Sequence, residues 1–574
     1  MTTASATKGG AWLLEPGDPA SVLTPERLSD EHRLIGQTAQ QFVNKEVVPS
    51  IDRLEQKDWA LARQLLHRSG ELGLLGVDAP EEYGGVGLDK AAALVVSRNL
   101  SGSASFSAAF GAQGNLAITP ILLFGTAEQK RKYLPGLIAG DMVGAYALSE
   151  SGSGSDALGA SARATKLPDG SFSLSGEKMW ITNGGFADIF IVFAKIDGEQ
   201  FTAFIVERGF PGVSTGKEEH KMGLHGSSTT PLVLQDAKVP AANVLGDIGK
   251  GHKVAFNVLN FGRFKLGAMC IGGAALAVGD SAKYAASRKQ FGKPIASFGA
   301  IKHKIGEMSV RTYAVESLLY RTAGWIDASI AGAGGPGAAL AAMEEFAVEA
   351  SIAKVAGSET LDFVLDENVQ IHGGNGFVHD YPAERHYRDA RVNRIFEGTN
   401  EINRLLIPGM LIRRSLKGDL PLIAAAKKLQ DEILSALGPA EDPIASFKKV
   451  ALMTFGLSLQ RYGEEITEQQ EALVSIADIV IAVACAESAQ LRASSATGPM
   501  APFHADAAAV FINDAAAKIE ITARQLLAAM AEGDTLRTHL AALRRLLKVT
   551  PIDTVSRRRR IADETVRRGS YIFQ

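Results

Sequence analysis

Cysteine is scarce in this chain, with only Cys270 and Cys485 among 574 residues. Both lie in apolar helical stretches far apart in sequence, which excludes a disulfide framework or a thiolate metal cluster and agrees with a reducing compartment. They read as two small buried hydrophobes, and no metal site is expected. An excess of either charge is also missing: 60 Lys and Arg stand against 63 Asp and Glu, a formal net charge of −3. Nothing in that balance points to nucleic acid or to a polycation as partner. Residues 1–16 lack a basic start followed by an apolar run, so no secretory signal is predicted. The longest strongly apolar run, residues 474–486, is interrupted by Asp478 and is short for a bilayer span. It reads as a core helix in a soluble, cytoplasmic chain. Association with a membrane surface stays open but unsupported.

What is present falls into four regions. Residues 24–142 are helical in pattern: Ser29-Asp30-Glu31 offers a helix start, and Thr126 to Gln129 has capping-box spacing. Residues 143–249 change texture, with compact β-type runs at 189–193, 201–206 and 231–234 separated by turns such as Asn183-Gly184-Gly185. No long helical patterns interrupt these runs, which predicts an antiparallel barrel or sandwich. Helical periodicity returns over 250–418. It persists through an Ala/Leu/Glu/Arg-rich segment, 419–574, with turns expected at Gly438-Pro439 and Gly498-Pro499. The class is α+β, mostly α, in the order helices, small β domain, helices, extra helices.

Four local patterns carry chemistry. A loop running from Tyr146 through Leu148, Ser149, Glu150 and Gly154 to Ser155 can present backbone N–H groups to a carbonyl-rich ring or a phosphate; alone it would be a solvated loop. Trp180-Ile181-Thr182 can cover a planar cofactor and donate to it, though a buried Trp closing a β barrel looks similar. Arg288, Gln290 and Phe291 end a long helical pattern, where an Arg can pair with a pyrophosphate or simply face water. The last pattern is Gln370-Ile371-His372-Gly373-Gly374, followed by Arg388-Asp389 and Phe396-Glu397-Gly398-Thr399-Asn400-Glu401. Its glycines let backbone approach a ligand, and two ordinary turns would read the same.

Together, in this order, these motifs resemble the acyl-CoA dehydrogenase family over residues 28–413, with residues 80–87 and Lys221-Met222-Gly223-Leu224 included. The resemblance implies an N-terminal helical domain, a middle antiparallel β domain, a C-terminal four-helix bundle and, here, an additional C-terminal helical domain. It implies FAD, held by Tyr146, Leu148, Ser149, Gly154, Ser155, Trp180, Ile181 and Thr182. Further contacts to the FAD phosphates and adenosine would come from Arg288, Gln290, Phe291, Phe298, Gly299, Gln370, Ile371, Gly373 and Gly374, which reach a flavin bound mainly by the neighbouring subunit of a homodimer. Thr399, Asn400 and Glu401 would complete that site. Ser155, Asn260, Phe261, Gly262, Arg263 and Gly398 would face an acyl-CoA substrate.

By the same resemblance Glu397 is the base that removes the α proton. Some relatives carry that base on the earlier helix, but the stretch around Gly262 holds no carboxylate. Electrons would pass to an electron-transfer flavoprotein. An oxidase that uses oxygen, and a non-catalytic scaffold on the same fold, are the alternatives. The extra helices resemble those of very-long-chain members. The small residues at 107–112, and Phe298-Gly299 in place of the commoner Phe-Gln, point the same way. The Arg557-Arg558-Arg559-Arg560 run, with Arg567-Arg568, reads as a solvated helix face with internal ion pairs.

Overall fold

Side-chain oxygens start the N-terminal helices where the sequence offers them. Ser29 caps the helix Asp30–Phe42 by accepting from the N–H of His32, and Thr126 caps Ala127–Ala139 through a capping box with Gln129. The computed structural model describes residues 8–335, 337–434 and 442–573. The expected turn at Gly438-Pro439 lies outside the described residues; Gly498, at φ 71°, makes the second one.

The middle region is one eight-stranded sheet: β1 (Gly144–Ala147), β2 (Arg163–Lys166), β3 (Phe172–Thr182), β4 (Ile189–Ile196), β5 (Gln200–Glu207), β6 (Val213–Thr215), β7 (Thr229–Val239) and β8 (Val244–Leu245). Its order is β6-β7-β3-β2-β4-β5-β8, with β1 also on β4. Most pairs are antiparallel as expected. The pairs β1–β4 and β2–β4 are parallel, and β1 enters beside Ile189 straight from the N-terminal helices. The side chain of Gln113 fixes that entry by accepting from the Gly144 N–H at 2.7 Å. β3 breaks register with β7 twice, between Leu174 and Gly176 and between Lys178 and Ile181. The second break throws Trp180 to φ 59° and leaves it 56% exposed.

Four helices, Gly251–Ser287, Gly299–Ala333, Ala347–His372 and Asn400–Leu416, form the bundle. Gly251–Ser287 and Ala347–His372 cross where neither carries a side chain. A Cβ on Gly267 would lie 2.9 Å from the Ala353 carbonyl oxygen, and one on Gly357 would lie 3.0 Å from the Gly267 Cα. That close crossing brings Lys354 next to Arg263. The extra helices dock through ion pairs: the buried Arg492 meets the buried Glu316 at 2.9 Å and the exposed Glu26 at 2.5 Å, and Arg321 and Glu487, both buried, meet at 2.9 Å. Removing one partner of such a buried pair costs about 3–5 kcal/mol.

Four sequence regions thus share two apolar cores. The N-terminal helices and the sheet share one, containing Phe42, Leu66, Phe193 and Phe204. The bundle and the extra helices share the other, with Phe264, Tyr313, Phe346 and Val483. The apolar run at 474–486 proves to be part of a longer helix. Gln470–Ser495, like Gly251–Ser287 and the segment Ala104–Phe124, is long and apolar enough by length and composition to cross a bilayer. In the fold 83%, 83% and 72% of their apolar windows are buried against protein.

Candidate active site

The helix Asn400–Leu416 begins at Thr399, whose Oγ1 accepts from the Ile402 N–H. Just before it, Glu397 and Gly398 both have left-handed backbone, at φ 58° and 79°. For Glu397 this is a strained state that surrounding contacts must hold. Two cations hold it. Arg263 Nε donates to the Glu397 carbonyl at 3.0 Å, and Lys354 Nζ donates to the Gly398 carbonyl at 2.7 Å and to Asn400 Oδ1 at 2.6 Å. Asn260 Oδ1 accepts from Arg263 and orients it. The Glu397 N–H donates to no acceptor among the described residues.

The carboxylate of Glu397 lies directly over Gly262. A Cβ at that position would fall 2.6 to 2.8 Å from its Oε2, Cδ and Oε1. Glu397 is partly exposed as a residue, yet its Oε2 has almost no accessible surface and no hydrogen-bond partner. Burial pushes Glu397 up to about 7, against the opposing pull of Arg263 and Lys354. Burial likewise pushes Lys354 down to about 8. Burial, and then the Glu397 charge, hold the Tyr146 phenol well above its usual range, so the β1 loop and the turn are electrostatic neighbours.

Of the expected cofactor residues at the Glu397 turn, Thr399 caps the following helix, and the side chain of Asn400 is buried on Lys354, Ser358 and Glu359, which leaves only its backbone for a ligand. The other expected cofactor residues separate into two groups. In the first, β3 holds the loop after β1: Met179 N–H donates to the Ser149 carbonyl at 2.9 Å, and the buried Lys178 meets Glu150 at 2.6 Å and the Leu148 carbonyl at 3.2 Å. Gly154, Ser155 and the Trp180 ring face outward, and Thr182 is half-buried. Ile181 is 2% exposed, so its side chain belongs to the core and only its backbone is available to a ligand.

The second group sits at the far end of Gly251–Ser287. The hairpin of β9 (Lys289–Gln290) and β10 (Lys293–Pro294) carries Phe291 at 92% exposure, edge-on to Phe298. Tyr284 stacks on His372 and donates to its carbonyl, which brings Gln370, Gly373 and Gly374 to the same end. A Cβ on Gly373 or Gly374 would meet nothing within 4 Å. Ile371 is buried, again leaving only its backbone. No hydrogen bond, ion pair or ring contact among the described residues joins this group to the first.

Of the expected substrate residues, Gly262, Arg263 and Gly398 gather at Glu397, and Ser155 stays on the outer loop. Phe261 departs from expectation: it packs in the core with the Lys90 ammonium over its ring. The Lys221 to Leu224 motif packs against the helix Ala383–Ala390, with Gly223 close against the Arg388 backbone and Leu224 N–H donating to Asp389. Lys354 and the Glu150–Lys178 pair were not foreseen. The available signal for Lys354 was a single charge inside the apolar pattern Ala350-Ser351-Ile352-Ala353-Lys354-Val355.

Comparison with known proteins follows this geometry. Models of the acyl-CoA dehydrogenase N-terminal domain match residues 29–141, of the middle domain 145–237, and of two C-terminal domains 249–411 and 446–545. A probable acyl-CoA dehydrogenase of Bacillus subtilis is 46% identical, covering 97% of each chain. The crystal structure of an acyl-CoA dehydrogenase complexed with FAD from Bacillus anthracis superposes with a TM-score of 0.96 at 46% identity, over 99% of this chain and 100% of that one. Butyryl-CoA dehydrogenase from Megasphaera elsdenii gives a TM-score of 0.62 at 38% identity, over 67% of this chain and 99% of its own. With matched domains along most of its length and a relative 46% identical over nearly the whole of both chains, this chain belongs to the acyl-CoA dehydrogenase family.

Proposed function

We propose that this chain oxidises long-chain acyl-CoA thioesters to trans-2-enoyl-CoA, the first step of fatty acid β-oxidation, and passes the electrons to an electron-transfer flavoprotein. The observation that carries the reading is the Glu397 carboxylate, set over Gly262 and beside the Tyr146 loop with its buried Oε2 unpartnered. The residues present fit FAD. An exposed Trp180 on a bulged strand suits a flat ring, and side-chain-free Gly373 and Gly374, with exposed cations around Phe291, suit a phosphate-bearing tail. FAD, when bound, supplies the acceptor for the hydride leaving Cβ.

Glu397 takes the α proton. A carboxylate with ordinary acidity is too weak a base for a carbon acid; burial strengthens it, and at neutral pH part of the population is ionised. The unengaged Glu397 N–H suits the thioester oxygen, where charge develops as the proton leaves. Arg263 and Lys354 fix the turn's carbonyls, so the base and that N–H keep one geometry. The separation of the two cofactor groups supports a homodimer in which the 288–299 and 370–374 segments reach the partner's FAD.

Small residues support the long-chain preference. A Cβ at Gly111 would have only Asn115 and Met269, at 3.8 and 4.0 Å, as neighbours, and one at Gly114 only the Leu75 carbonyl oxygen at 3.8 Å. That leaves room beside the bundle for an acyl tail. The test is anaerobic bleaching of the flavin across a series from butyryl- to stearoyl-CoA. Fastest bleaching by long chains is expected; a butyryl optimum would overturn the preference. Stoichiometric peroxide under air would replace the dehydrogenase reading with an oxidase.

A further inference from the structure

The arginine run of the last helix, Thr554–Arg568, divides sharply by partner. Arg557 and Arg560 pair with Asp506 at 2.6 and 2.7 Å, and Arg558 pairs with Glu307 at 2.7 Å and also with Asp514. Arg559 is exposed and has no ion pair or hydrogen bond among the described residues. Its guanidinium instead lies over Gly299: a Cβ there would sit 3.1 Å from Nη2. This placement is built rather than loose. Seven residues further along the same helix, a Cβ on Gly306 would meet the Arg558 carbonyl oxygen and Cβ at 2.6 and 2.8 Å, so the last helix lies hard against that face. Lys302 pairs with Asp563 at 2.5 Å and fixes the register from the other side.

Around Gly299 stand Arg288 and Lys289, exposed and without ion pairs among the described residues, and Lys293, whose ammonium lies 4.5 Å over the Phe298 ring. The exposed Phe291 completes the patch. Uncompensated cations around open aromatic rings match a diphosphate joined to a base, in which guanidinium pairs with phosphate oxygens and the rings meet the base.

We propose that Arg559 is a cofactor-binding residue supplied by the C-terminal extension. Its guanidinium takes the space left by the missing side chain at 299 and pairs with the diphosphate of FAD. This rests on the FAD reading above and adds to it that the extra helices form part of the cofactor site.

The experiment follows flavin release from the purified holoenzyme by the rise in flavin fluorescence on dilution, at low and high salt. Arg559→Ala should speed release roughly tenfold at low salt and less at high salt. Arg559→Lys should recover much of the loss, and Gly299→Leu should mimic it by displacing the guanidinium without offering a polar contact of its own. The Arg559 side chain is exposed and unpaired, so the folding transition should not move. Unchanged release in Arg559→Ala at low salt, with faster release in Arg288→Ala, overturns this proposal and leaves the FAD reading standing. Purified protein that carries no flavin overturns both.

Discussion

Positive charge is used in opposite ways at the two ends of the helix Gly251–Ser287. At the catalytic turn Arg263 and Lys354 are buried, and both are committed to backbone carbonyls. At the 288–299 hairpin the cations are exposed and, among the described residues, free of carboxylates. The first set finishes its work within one chain, by holding a strained turn. The second is complementary to something outside the chain. A charge already satisfied by its own fold marks a positioning role, and an unsatisfied one among exposed rings marks a ligand surface.

The largest test of that contrast is Glu397→Gln. It should retain FAD and bind thioester while flavin reduction in anaerobic stopped-flow falls by about 10³-fold, within the range for losing a general base; normal bleaching would remove Glu397 from its role. Lys354→Met should come next, with reduction slowed by roughly 10- to 100-fold, because the strained turn loses a prop and the base loses a nearby cation. Flavin release should change far less than reduction, since Lys354 reaches the expected FAD residues only through Asn400. A change in release with normal reduction would erase the distinction between the two ends.

The pH profile sharpens the same point. Glu397 must be ionised to accept a proton, so reduction by limiting substrate should fall about tenfold per unit below its value of about 7 and level off above it. Lys354→Met should shift that limb to higher pH, since a cation stabilising the carboxylate is gone. A limb in the ordinary carboxylate range would show that the base is not desolvated. The smallest effect is expected from Phe291→Ala: a few-fold faster flavin release with the reduction rate intact.

Much of this was legible in the sequence because it is written locally. Capping residues announced the helix starts at Ser29 and Thr126, alternation announced the sheet, and the ordered motifs announced the family. What stayed hidden depends on long-range register. Nothing local says that Ile181 and Ile371 turn inward while Trp180 turns out; a bulge decides the first strand, and the packing of Tyr284 on His372 sets the end of the second element. The boundary near 142 was visible as a change of texture, yet the two regions it separates share one core. Lys354 was unreadable as a functional group because its partner turn lies more than 40 residues away.

One continuous helix carries a further consequence. Gly251–Ser287 contributes Val254 and Val258 to one core and Phe261 onward to the other, and Gly262 stands just past the changeover. At 37 residues it is about 55 Å long. The platform beneath Glu397 is therefore machined into a single rod rather than assembled from loops. Loops and outlying helices can be remodelled, as interchangeable attachments, without moving Gly262 from beneath the Glu397 carboxylate.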